Sequence, residues 1–308
     1  MAGTFITLSG DNIFALKQEL AGLTREFSER YGDLAIERLD GEESELAVVR
    51  SALNSSGLLA ERKLVILGSP SRNKQISDAI EDMSANLPDT TDVVVLEPQL
   101  DKRLSIYKAL NRVSDFRTFR ELDASALGKW LQETAKKGGG SISSADASYL
   151  VERVGPNQQL LSKEMEKLLI HNPQITRQSI NMLTDRSAQS TIFQLLDAAF
   201  SGDKSKTLQL YEEQRSMKTE PAQIIALIAW QLHILSIIKA AGDRSTNMIA
   251  KEAKINPYSL SRSVSVANKL TLRRIKSLIS RLAKIDVDIK SRPIDADEAL
   301  THYLITLS

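Results

Sequence analysis

The chain has 308 residues, 42% of them apolar, and a net charge of +1, which suffices for two or three domains with apolar cores. The absence of cysteine excludes disulfides, a thiolate zinc site and a cysteine nucleophile. Residues 1–135 carry more acidic than basic side chains and residues 211–308 carry the reverse, so nucleic acid is not expected to bind the whole surface uniformly.

The chain opens with the pattern of a nucleotide-binding domain but lacks the phosphate-binding residues. A buried strand, a tight turn and a helix are predicted over residues 5–8, 9–12 and 13–20. A phosphate-binding loop at this turn requires G-x-x-x-x-G-K-[ST], whose amides, lysine and hydroxyl bind phosphate and magnesium. Here Gly10 has no second glycine after it, Asp11 adds a negative charge, and Lys17 lies mid-helix. These residues predict a nucleotide-hydrolase scaffold that does not hydrolyse nucleotide.

A pair of leucines, Leu58 and Leu59, follows the next predicted helix. Ser55-Ser56-Gly57 interrupts that helix, and the leucines precede a strand that begins at Lys63. Two interpretations stay open, because the leucines could pack into the domain or project as an exposed apolar wedge. Adjacent apolar side chains on one short turn do not easily face the same core. A projecting pair could fill a pocket on a partner, with each leucine contributing roughly 1.5–3 kcal/mol.

Further strands alternate with helical patterns up to about residue 135. Residues 63–67 and 92–96 are short apolar runs, and residues 116–122 alternate polar and apolar side chains with period two. This alternation predicts an α/β domain whose mostly parallel sheet is covered by helices. Glu97-Pro98 stands where an active hydrolase carries an Asp-Glu pair for magnesium and water. This second loss also argues against NTP hydrolysis.

Gly138-Gly139-Gly140-Ser141 marks a flexible break after this domain. A phosphate cradle there is disfavoured, because no strand runs directly into it and no GK[ST] sequence follows. Everything downstream has the apolar spacing of helices, most clearly from Thr271 to Lys290. We therefore expect three domains: an α/β domain over residues 1–137, a small helical domain over 141–204 and an all-α domain over 205–308.

Residues typical of catalysis or metal binding are not grouped in this sequence. His171, His233 and His302 form no metal-ligand spacing, so no metal and no cofactor are expected. The apolar stretch from Ile224 to Ile238 is shorter than the roughly 20 residues that span a bilayer, and it predicts a buried core helix. The start of the sequence has no basic stretch followed by an apolar run. Together with the lack of cysteine, this is expected of a cytoplasmic protein.

A group of cations near the last long helix admits two interpretations. Its members are Lys269, Arg273, Arg274, Lys276, Arg281 and Lys284. They could form a DNA-binding face, because Lys and Arg neutralise phosphates. Charges opposite an apolar stripe are more often only the solvated face of a helix, and that interpretation is favoured here.

Several short signatures follow one another along nearly the whole chain. They are Leu8-Ser9-Gly10-Asp11-Asn12, Gly57-Leu58-Leu59-Ala60-Glu61-Arg62-Lys63-Leu64-Val65, Val93-Val94-Val95-Leu96 with Asp101-Lys102-Arg103, Leu150-Val151-Glu152-Arg153-Val154-Gly155, Glu164-Met165-Glu166-Lys167-Leu168, Ile192-Phe193-Gln194-Leu195-Leu196-Asp197-Ala198, Asn256-Pro257-Tyr258, and Asp286-Val287-Asp288-Ile289-Lys290. In this order they resemble the delta subunit of the bacterial DNA polymerase III clamp loader. The related delta-prime and ATPase subunits typically carry a four-cysteine zinc site and a Ser-Arg-Cys motif, so the lack of cysteine favours delta.

The resemblance implies an inert AAA+-like fold for the first domain, a helical lid for the second and an oligomerisation collar for the third. It implies as partners the sliding clamp (the beta subunit), the ATPase subunits gamma/tau, the delta-prime subunit, and primed DNA through the assembled complex, with no membrane. The family binds the clamp with a Leu-Phe pair. Leu58 matches its leucine, and Leu59 occupies the phenylalanine position, where it fills less of an aromatic-sized pocket.

We therefore expect a non-catalytic subunit that binds and opens the sliding clamp for loading onto primed DNA during replication, without hydrolysing ATP itself. The polymerase holoenzyme as a whole is a DNA-directed DNA polymerase. The alternative is a helical scaffold or adaptor protein that binds DNA or RNA directly through residues 211–308. A third hypothesis, a divergent active ATPase, is disfavoured by the missing phosphate loop.

Overall fold

The computed structural model describes residues 3–55 and 61–307, apart from the side chain of Gln189. The chain divides into two compact units, Met1–Glu121 and Leu122–Ser308. The first unit is α/β and the second is mostly helical. The predicted class, an α/β domain followed by helices, is therefore confirmed.

The first unit alternates strands and helices as predicted. Its elements are β1 Phe5–Gly10, α1 Ile13–Tyr31, β2 Ile36–Asp40, α2 Leu46–Asn54, β3 Lys63–Gly68, α3 Lys74–Ala85, β4 Thr91–Pro98, α4 Ser105–Val113 and β5 Asp115–Phe119, with short 3₁₀ turns at Asp33–Ala35 and Pro70–Arg72. The five strands described in this unit form one sheet in the order β2-β3-β4-β1-β5, and each of these pairings is parallel. The sequence patterns missed β2 and placed the end of β5 three residues too late.

Both faces of the sheet are covered, which explains the unbroken apolar runs of its central strands. On one face Val65, Val93 and Val95 pack with α2, α3 and α4. On the other face residues such as Leu64, Ile66 and Val94 pack with α1. Alternate residues of β3 and β4 therefore serve two different cores, and the strand interiors have no polar face.

The second unit contains the remaining elements that the structure describes. They are α5 Ala124–Lys137, β6 Ser141–Ile142, α6 Ser144–Val154, α7 Gln158–His171, β7 Gln174–Ile175, α8 Arg177–Leu183, α9 Ala188–Phe200, α10 Lys204–Ser216, α11 Pro221–Ala241, α12 Thr246–Ala253, α13 Pro257–Lys269, α14 Leu272–Ser291 and α15 Ala296–Ile305. One apolar cluster joins α5 to α8 and includes Tyr258 from α13. A larger cluster joins α9 to α15.

Helix α5 lies in the second unit and not with the sheet. Its apolar residues Leu127, Leu131 and Ala135 are buried in the same cluster as Leu150 of α6. The break between units precedes this helix, whereas the glycine-rich stretch follows it. The predicted three-domain division, with ends near residues 137 and 204, stays a prediction.

Helix α11 is long and apolar enough to cross a membrane by length and composition alone. In the structure it lies at the centre of the larger helical cluster, where Ile224, Ile228, Leu232 and Leu235 are fully buried. A helix that is apolar on most sides is typical of a protein interior. The predicted core helix is therefore confirmed.

Candidate functional site

The turn between β1 and α1, where a phosphate-binding loop would lie, is bound to the end of β5. Gly10 has φ of 140°, and an added Cβ there would lie 1.8 Å from the carbonyl oxygen of Phe119. The Asn12 amide donates to that same oxygen at 3.2 Å. Only glycine permits this backbone conformation and this close approach. Gly10 thus serves strand packing at this turn.

The first turn of α1 is also capped by its own chain. The Asn12 side chain accepts from the Ala15 amide at 3.0 Å and donates to the Arg120 carbonyl at 3.1 Å. The Asp11 carboxylate accepts from the Glu121 amide at 2.8 Å. The N-terminus of a helix binds phosphate through amides that have no other partner. In this chain the Asn12 side chain binds one of these amides, and both Asp11 and Asn12 are hydrogen-bonded to the backbone that follows β5.

Glu97, the acidic residue at the end of β4, holds a neighbouring turn. Its two carboxylate oxygens accept from the Ser71 amide at 2.5 Å and from the Ser71 hydroxyl at 2.8 Å. The residue is buried, and burial raises the pKa of its carboxyl, although the hydrogen bonds from Ser71 oppose this effect. Both oxygens are therefore committed to the 3₁₀ turn Pro70–Arg72.

The predicted wedge, Leu58 and Leu59, lies outside the described residues. The structure does describe the residues on either side, up to Ser55 and from Glu61 onwards. The preceding helix, α2, buries Val49 and Leu53 against the sheet. The helix predicted before Ser55 is confirmed, whereas the position of the leucine pair stays a prediction.

The two ends of the segment 56–60 are joined through Lys63, the first residue of β3. Its ammonium group donates to the Ala52 carbonyl at 2.9 Å and to the Ser55 hydroxyl at 2.8 Å. It also forms an ion pair with Glu37 of β2, with 2.5 Å between Nζ and Oε2, and its side chain is only 12% exposed. One side chain thus connects the end of α2 to two strands.

A second ion pair lies next to Lys63 in sequence. Arg62 donates to the two carboxylate oxygens of Asp92 at 3.2 and 2.8 Å, and Asp92 also accepts from the amide and hydroxyl of Thr4. Burial raises the pKa of the Asp92 carboxyl, but the hydrogen bonds from Arg62 and Thr4 outweigh it, and the net pKa lies below the ordinary value. This pair ties β3 to the start of β4 and β1.

The histidines and the glycine-rich stretch are the other candidate sites of the sequence. No group of three metal-binding side chains occurs among the described residues. The amides of the glycine-rich stretch from Gly138 to Ser141 all donate to backbone carbonyls, so they are not directed at a ligand. This arrangement agrees with the prediction that the stretch is not a phosphate cradle.

Two of the six cations near α14 have a structural role. Arg274 donates to the Leu307 carbonyl at 3.1 Å, and Arg281 donates to the Thr306 hydroxyl at 2.6 Å. Both therefore bind the end of α15. The other four cations are exposed at the surface: Lys269, Arg273, Lys276 and Lys284.

Comparison with known proteins assigns the chain to a family. The family model described as DNA polymerase III, delta subunit, matches residues 7–119, and a model for the C-terminal domain of the same delta subunit matches residues 189–307. The two models together match more than half of the chain. The chain belongs to the DNA polymerase III delta subunit family.

Individual relatives agree with this family. The DNA polymerase III subunit delta of Bacillus subtilis is 24% identical over 291 residues, which cover 89% of this chain and 84% of that protein. The solved structure of the DNA clamp loader delta protein of Bacillus subtilis matches with a TM-score of 0.83 and 24% identity. The match covers 99% of this chain and 95% of that protein. The structural match shows that this chain and that protein share one fold along nearly their whole lengths.

The sequence patterns did not reveal the anchoring role of Lys63. A lysine at the start of a strand belongs to no sequence motif that would indicate such contacts. Its partners Glu37 and Ala52 lie 26 and 11 positions before it in the sequence. The only local signal is that Lys63 follows the interrupted helix. The contacts become visible only when β2 and β3 pair.

Proposed function

We propose that this delta family member binds and opens the sliding clamp so that the clamp can be loaded onto primed DNA. The observation that carries the proposal is the match of both halves of the chain to delta subunit models. The capped start of α1 supports a subunit that works without hydrolysing ATP. Its partners in this proposal are the clamp, the gamma/tau ATPase subunits and the delta-prime subunit.

In this mechanism Leu58 and Leu59 insert into an apolar pocket on the clamp. Each leucine that becomes fully buried contributes roughly 1.5–3 kcal/mol to the binding free energy. A few buried side chains of this kind usually carry most of the binding energy of an interface. The bound subunit favours the open ring only if it binds that state more tightly than the closed ring, because a ligand shifts a population by its differential affinity. ATP binding by the partner subunits would expose the leucines, and primed DNA would trigger release.

The first test is the affinity of the full chain for its cognate clamp. We expect Leu58→Ala combined with Leu59→Ala to weaken binding at least about 100-fold, because two buried anchors are truncated. The matched control is Ile170→Ala in the second unit, which removes an aliphatic side chain that is 87% exposed. Surface plasmon resonance measures both variants. Wild-type affinity in the double leucine variant would show that the site assignment is wrong.

The alternative function, direct binding of DNA or RNA, draws on the four exposed cations near α14. A phosphate-binding face predicts an affinity for DNA that falls steeply with salt, with a slope that becomes shallower for each cation removed. Titrating fluorescent primed DNA with the full chain and with Lys276→Gln plus Lys284→Gln measures this slope. Equal slopes for the two proteins would count against this face.

A further inference from the structure

We propose that the outward face of helix α4, together with the turn before it, is a binding surface for the phosphate backbone of DNA. This surface, the α4 stripe, consists of four exposed cations: Lys102, Arg103, Lys108 and Arg112. Two of them belong to the signature Asp101-Lys102-Arg103, to which neither the leucine pair nor the turn between β1 and α1 gives a role. The inference goes beyond clamp binding and does not rest on it.

The α4 stripe carries one sign of charge within an acidic part of the chain. Residues 102–114 contain the four cations and no carboxylate, whereas residues 1–135 contain more acidic than basic side chains. The exposed face of α3 mixes both signs, with Lys74 and Asp78 one turn apart. Mixed signs are typical of a helix face that is only solvated. Cations alone attract a polyanion instead.

Helix α4 presents its cations outward because its other face lies in a core. Ile106, Ala109 and Leu110 are buried in the apolar cluster on one face of the sheet. Lys108 and Arg112 are one turn apart on the opposite side, and the Arg112 side chain is 67% exposed. A helix rises about 1.5 Å per residue, so residues 105–112 span about 10 Å. One strand of DNA carries about three phosphates over this length.

The turn before α4 is fixed by Asp101. Its carboxylate accepts from the Arg103 amide at 2.9 Å and from the Arg103 guanidinium, with 2.6 Å between Nη2 and Oδ2. These hydrogen bonds lower the pKa of the Asp101 carboxyl to about 2, so it stays ionised at neutral pH. The Lys102 ammonium lies 5.8 Å from the centre of the Tyr107 ring. Both cations therefore have a preferred direction before a partner binds, which lowers the ordering cost of binding.

The ion pairs within the α4 stripe leave its cations accessible. Arg103 pairs with Asp101 and Arg112 pairs with Glu81, and both arginine side chains are mostly exposed. Exposed ion pairs are weak, so phosphate oxygens can compete for these guanidinium groups. Neither Lys102 nor Lys108 forms an ion pair with a carboxylate of the described residues. A row of cations along one helix fits a backbone with evenly spaced negative charges.

The experiment measures how tightly the full chain binds fluorescent primed DNA as the salt concentration is varied. We expect Lys102→Gln with Lys108→Gln to weaken binding about three- to tenfold at about 50 mM salt. The slope of log affinity against log salt should become shallower by about one to two, because each lost phosphate contact on duplex DNA removes about 0.9. Lys102→Arg with Lys108→Arg keeps both charges and should keep the wild-type slope.

The matched control is Lys17→Gln with Arg25→Gln. It removes the same charge from exposed positions of α1, the helix that packs on the other face of the sheet. Because the net charge of the two double variants is equal, a local contact and a general charge effect give different results. We expect the control to bind within about twofold of wild type. Circular dichroism melting curves establish that every variant is folded.

The α4 stripe is not a DNA-binding surface if wild type shows no saturable binding, or if the stripe variant binds like wild type. Equal losses in the stripe variant and the control would show an effect of net charge alone. A stripe variant that keeps its affinity for DNA but loses affinity for immobilised clamp would assign the surface to a protein partner, which also overturns the proposal. Clamp binding by the double leucine variant is a separate measurement, so the proposed function is decided independently.

Discussion

Glu97 is a buried carboxyl whose pKa burial raises above its ordinary value. A group with a raised folded-state pKa adds stability that is complete below the unfolded pKa and is lost as pH rises through the folded value. At neutral pH the ionised carboxylate is therefore a cost to the first unit. The hydrogen bonds from Ser71 reduce this cost without removing it.

Glu97→Gln tests this sign, because glutamine keeps the shape and does not titrate. We expect the free energy of unfolding of the variant, minus that of wild type, to be larger at pH 7 than at pH 5, because only wild type loses stability as Glu97 ionises. Urea denaturation followed by circular dichroism at the two pH values measures the difference. A difference that is the same at both values would contradict a raised pKa for Glu97.

Gly10 is the residue whose backbone decides the turn between β1 and α1. Gly10→Ala should destabilise the protein by about 2–3 kcal/mol or more, since it combines an unfavourable φ with a clash against Phe119. Gly22→Ala is the control, because Gly22 lies within α1 with no atom within 4 Å of an added Cβ. There alanine should stabilise by about 0.5–1 kcal/mol. Denaturation curves that move in the same direction for both variants would refute this account.

At the scale of elements, the start of α1 is bound to the end of β5. Asp11 and Asn12 bind backbone groups of residues 119–121, which are the last residues of the first unit. The same loop in a nucleotide hydrolase must leave its amides open to phosphate. The turn between β1 and α1 therefore also holds the end of β5.

Magnesium ATP should consequently not bind this chain. We expect no saturable heat in isothermal titration calorimetry up to about 1 mM ligand. A dissociation constant of about 1 mM corresponds to a binding free energy of about −4 kcal/mol. An ATPase of the clamp loader measured under the same conditions is the positive control. Saturable binding to the isolated chain would revive the hypothesis of a divergent ATPase and would require the Asp11 and Asn12 contacts to open.

At the scale of the whole molecule, each unit has apolar clusters of its own. Among the residues that the structure describes, the sheet unit contains two, one on each face, and the helical unit contains two others. The larger helical cluster includes Ile192, Leu195 and Leu196 of α9. Helix α9 precedes the predicted domain boundary at residue 204, so that boundary would divide this cluster.

This arrangement predicts how fragments behave. Residues 122–308 should fold alone, because both helical clusters stay whole, and should give a cooperative thermal transition and near-ultraviolet dichroism from Trp130 and Trp230. Residues 205–308 lack α9 and should melt at least about 10 °C lower or without a cooperative transition, since a cluster that loses several buried aliphatic residues loses several kcal/mol. Equal cooperativity of the two fragments would instead support the boundary at residue 204.

Much of the fold follows from local patterns in the sequence. The apolar runs of β3 and β4, the stripes of α2 and α14, and the long apolar helix α11 are all visible as side-chain periodicity, which is a property of neighbouring residues. Strand β2 was missed because Ile36–Asp40 is short and carries charged residues. Such an edge strand has no period strong enough to distinguish it from a loop.

The family could be predicted as well, because the signatures that carry the resemblance are short runs of neighbouring residues in a definite order along the chain. The strand order, the capped start of α1 and the anchor at Lys63 belong to the tertiary structure. Each depends on groups that are distant in sequence, such as Asp11 with Glu121 or Lys63 with Glu37. Local periodicity states which face of an element is apolar, whereas only the folded chain decides which distant polar group lies within hydrogen-bond distance of another.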